Sequence, residues 1–111
     1  SVFADADRMG QALDSIVGAG SILSGGRVNR CVLGYDVRVN SYCEIEDSII
    51  YNHVNVGRYS KIRNAIIERH VILPEHSEIG FDPEEDRKRY HLTEGGVVVV
   101  VRDESMIEEP E

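Results

Sequence analysis

Among the side chains of this 111-residue sequence that could do chemistry, some of the histidines, aspartates and cysteines are informative by their spacing. Asp36, His53 and His70 are evenly spaced along the chain. A histidine held at a turn can act as a general base, the role a corner histidine takes in acyl transfer. Two cysteines, Cys31 and Cys43, could serve redox or metal chemistry or simply fill space. A phosphate cradle would show as a glycine-rich loop that follows a strand and opens a helix with a basic residue nearby. No segment of the sequence has that form, and no carboxylate pair for a metal stands out.

The elements that carry these residues are set by a repeat. Ile22, Val39, Val56 and Leu73 stand at one constant interval. Val28, Ile45, Ile62 and Ile79 keep the same interval, as do Leu33, Ile50 and Ile67. The steps along the chain are 6, 5 and 6, then the cycle recurs. Two residues before these positions run further columns: Cys43, Ser60 and Ser77; Cys31, Ser48 and Ala65; Val37, Val54 and Val71. Residues i and i+2 of a strand point the same way, so each segment sends one small and one large side chain inward. Three short strands per turn then describe a triangular prism, a parallel β-helix. The segments are rich in Val, Ile and Ser and carry no 3.6-residue stripe, which excludes a helical repeat. Both cysteines fall on small inward positions, where a thiol behaves as a small hydrophobe.

The repeat has ends. Residues 1–14 read as a polar linker containing Asp5, Asp7, Arg8 and Gly10. Ile16, one full repeat before Leu33, starts the first partial coil. The glycines at 18, 20, 25 and 26 suit tight corners. Residues 15–81 form the prism, its last rung closing at Ile79-Gly80. Residues 82–102 form a cap. In it, Asp82 is placed as N-cap with Pro83 at the first helical position, and Glu84–Lys88 and Glu85–Arg89 are spaced for ion pairs. This helix is expected to stop near Gly95-Gly96, with Val97 to Val101 as a strand. Residues 103–111 are an acidic tail.

The bulk properties narrow the partners. A net charge of −8 argues against nucleic acid or an anionic membrane surface. No apolar run approaches the ~18 residues of a membrane helix. The free-thiol reading favours a reducing cytoplasm.

Several segments carry a resemblance. Ser24-Gly25-Gly26, Arg38-Val39-Asn40-Ser41, Val56-Gly57-Arg58, Val71 to Glu75, Ile79-Gly80, and Glu84-Glu85-Asp86-Arg87 through Glu94-Gly95-Gly96-Val97 are similar to one family. They resemble the C-terminal β-helix of bacterial ADP-glucose pyrophosphorylase (glucose-1-phosphate adenylyltransferase). The non-repeating end, Glu84 to Val101, is the most specific part. The resemblance implies an all-β fold: a left-handed parallel β-helix of hexapeptide type, with about four 17-residue coils followed by a short helix and a strand. It implies a whole enzyme that makes ADP-glucose and pyrophosphate from ATP and glucose 1-phosphate for glycogen synthesis. The Mg²⁺ that this reaction uses would belong to a catalytic domain preceding residue 1, so no cofactor is expected in this chain.

The resemblance also implies a role for two arginines. Arg69 and Arg102 match basic residues at which phosphorylated metabolites or AMP tune the family's rate. A guanidinium suits that task, because its planar fork binds phosphate oxygens in pairs and stays charged. A further basic residue of the family is replaced here by Met106, beside Asp103 and Glu104. Arg58, Lys61 and Arg63 read as solvated faces. Finally, Val32, Ile49 and Ile66 form an outward apolar column. Such a strip should be covered, by the β-helix of another subunit of a tetramer or by the C-terminal strand. The competing readings are a hexapeptide acyltransferase, which would need a longer prism and an extruded loop, and the β-helix of another sugar-nucleotide transferase.

Overall fold

The computed structural model describes residues 11–102 and is a parallel β-solenoid of about four coils. The polar segment up to Gly10, the acidic tail from Asp103 and Met106 lie outside the described residues. The first coil contributes β1 (Gln11–Leu13), β2 (Ile16–Val17) and β3 (Ile22–Leu23). The second supplies β4 (Arg27–Asn29), β5 (Val32–Leu33) and β6 (Arg38–Val39). The third holds β7 (Glu44–Glu46), β8 (Ile49–Ile50) and β9 (Asn55–Val56). The fourth has β10 (Lys61–Arg63), β11 (Ala65–Ile67) and β12 (Ile72–Leu73). Then come β13 (Glu78–Ile79), the helix α1 (Pro83–Arg89), β14 (His91–Leu92) and β15 (Val98–Val100).

Each face of the prism is a parallel ladder. The first runs β1-β4-β7-β10-β13, the third β3-β6-β9-β12, and the second β2-β5-β8-β11 with β15 and β14 added at its end. The large inward residues Leu33, Ile45, Ile50, Val56, Ile62, Ile67, Leu73 and Ile79 are all buried, stacked rung on rung. The small inward column satisfies its own polar atoms. Ser60 Oγ donates to Gly57 O at 2.7 Å and accepts from Ser77 N, and Ser48 Oγ donates to Glu46 O at 2.8 Å. A buried hydroxyl is tolerated at these positions because a corner carbonyl lies within reach.

The corners explain the polar residues. Ten non-glycine residues among those described have positive φ, between 48° and 64°. They fall on three edges: Asp14, Arg30, Asp47 and Asn64; Asp36, His53 and His70; Tyr42, Tyr59 and His76. Asp, Asn and His tolerate this left-handed region better than most side chains. The conformation points each amide along the prism axis. His53 N thereby donates to Tyr35 O, and His70 N to Asn52 O, at 3.1 and 3.0 Å.

The constant interval fails in the first coil. Leu23, not Ile22, stands in register with Val39, and Val17, not Ile16, with Leu33. Leu23 is 5% exposed and Ile22 46%. The cause is the corner Ser24-Gly25-Gly26, which covers with one residue fewer what Asn40 to Cys43 cover in the next coil. Gly25 makes this shortcut at φ +85°, where an L side chain is strained. The first coil is therefore shorter by that single residue, and residues 11–13 of the expected linker are already a rung, paired with β4.

The C-terminal end also departs from expectation. Asp82 caps α1 by accepting from Glu84 N and Glu85 N, with Pro83 in the first turn. The helix ends at Arg89, well before Gly95-Gly96. Those glycines instead turn a hairpin in which β14 pairs antiparallel with β15. Within the helix Asp86 is buried, its carboxylate accepting from Gly80 N at 3.1 Å, and Tyr90, in extended conformation, closes the last turn by donating to Asp86 O. Burial holds the Asp86 carboxyl above its ordinary value. Neither expected ion pair of the helix closes to salt-bridge distance among the described residues.

Both cysteines are buried free thiols that donate to backbone carbonyls, Cys31 to Asn29 O and Cys43 to Gly57 O. Burial pushes both thiols above their ordinary pKa. A disulfide reagent at neutral pH should therefore modify neither until denaturant is added, then both. One thiol reacting at a free-cysteine rate in the native protein would contradict the packed reading.

Candidate functional site

The groups able to do chemistry converge on the edge between the second and third faces. β11 delivers Glu68, Arg69 and His70 to this corner. β15 lies in parallel register on β11, with Val98 beside Ala65 and Val100 beside Ile67. Beyond the paired strands, Arg102 reaches the same corner, and its charge and that of Arg69 both act on His70. Two contacts lock the pairing: Glu68 N donates to Val100 O at 2.9 Å, and Arg102 N donates to the Glu68 carboxylate at 2.7 Å. Arg102 Nε is screened from solvent and has no hydrogen-bond partner among the described residues. A screened donor of this kind calls for an acceptor.

His70 stands next to both arginines. Its ring stacks on His53, centroids 4.8 Å apart, and Tyr35 meets His53 edge-on at 5.1 Å. His53 Nδ1 lies 3.6 Å from Asp36. The His70 imidazole is held below its ordinary pKa, first by desolvation and then by the charges of His53, Arg102 and Arg69. Below the corner, a shallow concavity of about 450 Å³ is lined by Tyr51, Ile66, Glu68, Arg69, Val99 and Val101. It sets the Arg69 guanidinium, the Glu68 carboxylate and the Tyr51 side chain against an apolar wall of Ile66, Val99 and Val101.

The outward apolar column lies on the adjoining second face. Val32, Ile49 and Ile66 are in register, and the column extends beyond them, since Ile16 precedes and Val99 follows it. Ile16, Val32 and Ile49 are 68%, 44% and 39% exposed. The C-terminal strand lengthens this strip and does not cover it, because β15 joins the edge of the sheet in its own plane. The first face instead alternates charge, Arg27, Glu44, Lys61 and Glu78 lying in register.

Sequence reasoning did not find Glu68, Tyr51 or the place of His70 at this corner. The column Asp36–His53–His70 was visible in the spacing, but the register between β11 and β15 was not, because a helix and a hairpin intervene. Among the described residues there is no group of three or more His, Cys, Asp or Glu that could hold a metal ion. No helix among them is long and apolar enough to cross a membrane.

Comparison with known proteins agrees with the fold. The family described as GlmU-like, C-terminal hexapeptide, matches residues 1–100. The chain belongs to that family. Glucose-1-phosphate adenylyltransferase of Koribacter versatilis is 55% identical over 98% of this chain and 26% of its own length. The proteins of that name from Anaeromyxobacter sp. and Rhodopirellula baltica are 52% and 51% identical over 84% and 93% of this chain. In each of these two relatives the match covers 23% of the length. The hexapeptide chain thus spans about a quarter of the curated relatives it matches, and the resemblance read from the Glu84 to Val101 end holds.

Proposed function

We propose that this chain is the regulatory and assembly domain of an enzyme that forms ADP-glucose and pyrophosphate from ATP and glucose 1-phosphate, a step of bacterial glycogen synthesis in the cytoplasm. It carries no catalytic residue of that reaction and is inert without the catalytic domain it serves. Its task is to bind a phosphorylated metabolite or AMP at the Arg69–Arg102 corner and to hold subunits together through the second face.

One observation supports the reading: Arg102 N donates to the Glu68 carboxylate, next to Arg69 in the chain, and the charges of both arginines act on His70. Two adjacent guanidiniums repel, and a phosphate between them relieves that repulsion while satisfying both forks.

The test uses the full-length enzyme, assayed for ADP-glucose formation against fructose 1,6-bisphosphate and AMP. Arg69→Ala removes a charged hydrogen-bond partner, worth about 1.5–3 kcal/mol, so half-maximal response should need at least ~10-fold more effector. Arg58→Ala, on a different edge, should respond like the unmodified enzyme. An unaltered effector response in Arg69→Ala would sink the assignment.

A further inference from the structure

The Arg69–Arg102 corner contains a third group whose charge is not fixed. We infer that His70 is a ligand of the same anion, so that binding a phosphorylated effector takes up a proton at His70. The inference rests on the phosphate reading of the two arginines and adds a specificity residue and a pH linkage to it.

The geometry places His70 well for this. It follows Arg69 directly, and Arg102, whose backbone N donates to the Glu68 carboxylate at 2.7 Å, lies near enough for its charge to act on the ring. His53 supports one face of its ring, stacked at 4.8 Å, and Asp36 lies 3.6 Å from His53 Nδ1 on the far side. The imidazole is therefore held in place by the coil before it, with its edge free at the prism corner. The charged or titratable groups around it are Tyr35, Asp36 and His53 from the preceding coils, Glu68 and Arg69 from its own, and Arg102 from β15. Asp103 and Glu104 follow Arg102 in sequence, outside the described residues.

The sign of the linkage follows. Without ligand, desolvation and the neighbouring positive charges keep His70 below its ordinary value of about 6.5, so it is mostly neutral at pH 7. An anion held by Arg69 and Arg102 offsets those charges and accepts from the protonated ring, raising the His70 pKa. Binding then consumes protons, and affinity strengthens as pH falls from 8 toward 6.5. A phosphate monoester, with its second pKa near 6, changes the other way by losing its second charge as pH falls. The two effects have opposite signs, so they can be separated.

The experiment is calorimetric titration of the full-length enzyme with fructose 1,6-bisphosphate, in two buffers of unlike ionisation enthalpy, at pH 6.5, 7.2 and 8.0. Variants are His70→Asn, His53→Asn and Arg69→Ala. His70 has φ 64°, a conformation asparagine also adopts readily, so His70→Asn removes the titrating ring without straining the corner. Expected are net proton uptake in the unmodified enzyme, its loss in His70→Asn, and about tenfold weaker binding of that variant at pH 6.5. His53→Asn should keep proton uptake. Loss of binding in Arg69→Ala with undiminished proton uptake in His70→Asn would overturn the inference and leave the phosphate reading standing. Unchanged binding in Arg69→Ala would overturn that reading and the inference with it.

Discussion

Ile62→Ala should lower the unfolding free energy by about 2–5 kcal/mol, whereas Ile22→Ala should change it by no more than about 0.5 kcal/mol. Both isoleucines are inward by the same arithmetic of the sequence. Ile62 is fully buried in the first face, in register between Ile45 and Ile79. In a solenoid each rung is held by its neighbours, so a cavity at Ile62 removes contacts from the rungs on both sides. Ile22 projects from the third face and loses nothing of that kind, while Leu23→Ala, its inward neighbour, should behave like Ile62→Ala. Urea denaturation followed by circular dichroism measures all three. Equal losses for Ile22→Ala and Leu23→Ala would mean that the first coil is not shortened at Gly25.

That contrast marks how far the sequence could be read. In the coils from Val28 to Ile79 a small and a large inward residue recur two positions apart at one interval, which sets the phase of each strand and made these coils legible. The first coil was not, because both Ile22 and Leu23 are apolar and either can fill an inward position. Only the shortened corner at Ser24-Gly25-Gly26 decides between them. The end of α1 was illegible for a related reason. Gly95-Gly96 ends a helix or turns a hairpin equally well, and the burial of Asp86 against Gly80 N that precedes the stop is a tertiary event. At the candidate site, Arg69 and Arg102 could be named from resemblance, and the column Asp36–His53–His70 from spacing. The contacts that unite them through Glu68 depend on a strand that returns to the prism from outside the repeat.

The same returning strand bears on assembly. Of the three faces, the first alternates charge and the third presents Ile22, Arg38, Asn55 and Ile72, so neither offers a continuous apolar surface. The second presents Ile16, Val32, Ile49, Ile66 and Val99 in unbroken register, and the last of these is supplied by β15. A single chain leaves Ile16, Val32 and Ile49 of this ladder exposed, and a second subunit laid against it would bury them. Ile49→Glu puts a carboxylate at the centre of this strip with Val32 and Ile66 on either side and no cation in the column. An unpaired charge trapped in such an interface costs several kcal/mol, which favours dissociation of the subunits over burial of the charge. Light scattering of the full-length enzyme should accordingly report a lower mass for Ile49→Glu, with the β-helix circular dichroism retained because the side chain points outward. Lys61→Glu, on the first face, should leave the mass unchanged. An Ile49→Glu enzyme of undiminished mass would mean that subunits meet elsewhere, and that the strip is covered by something other than a second copy of this fold.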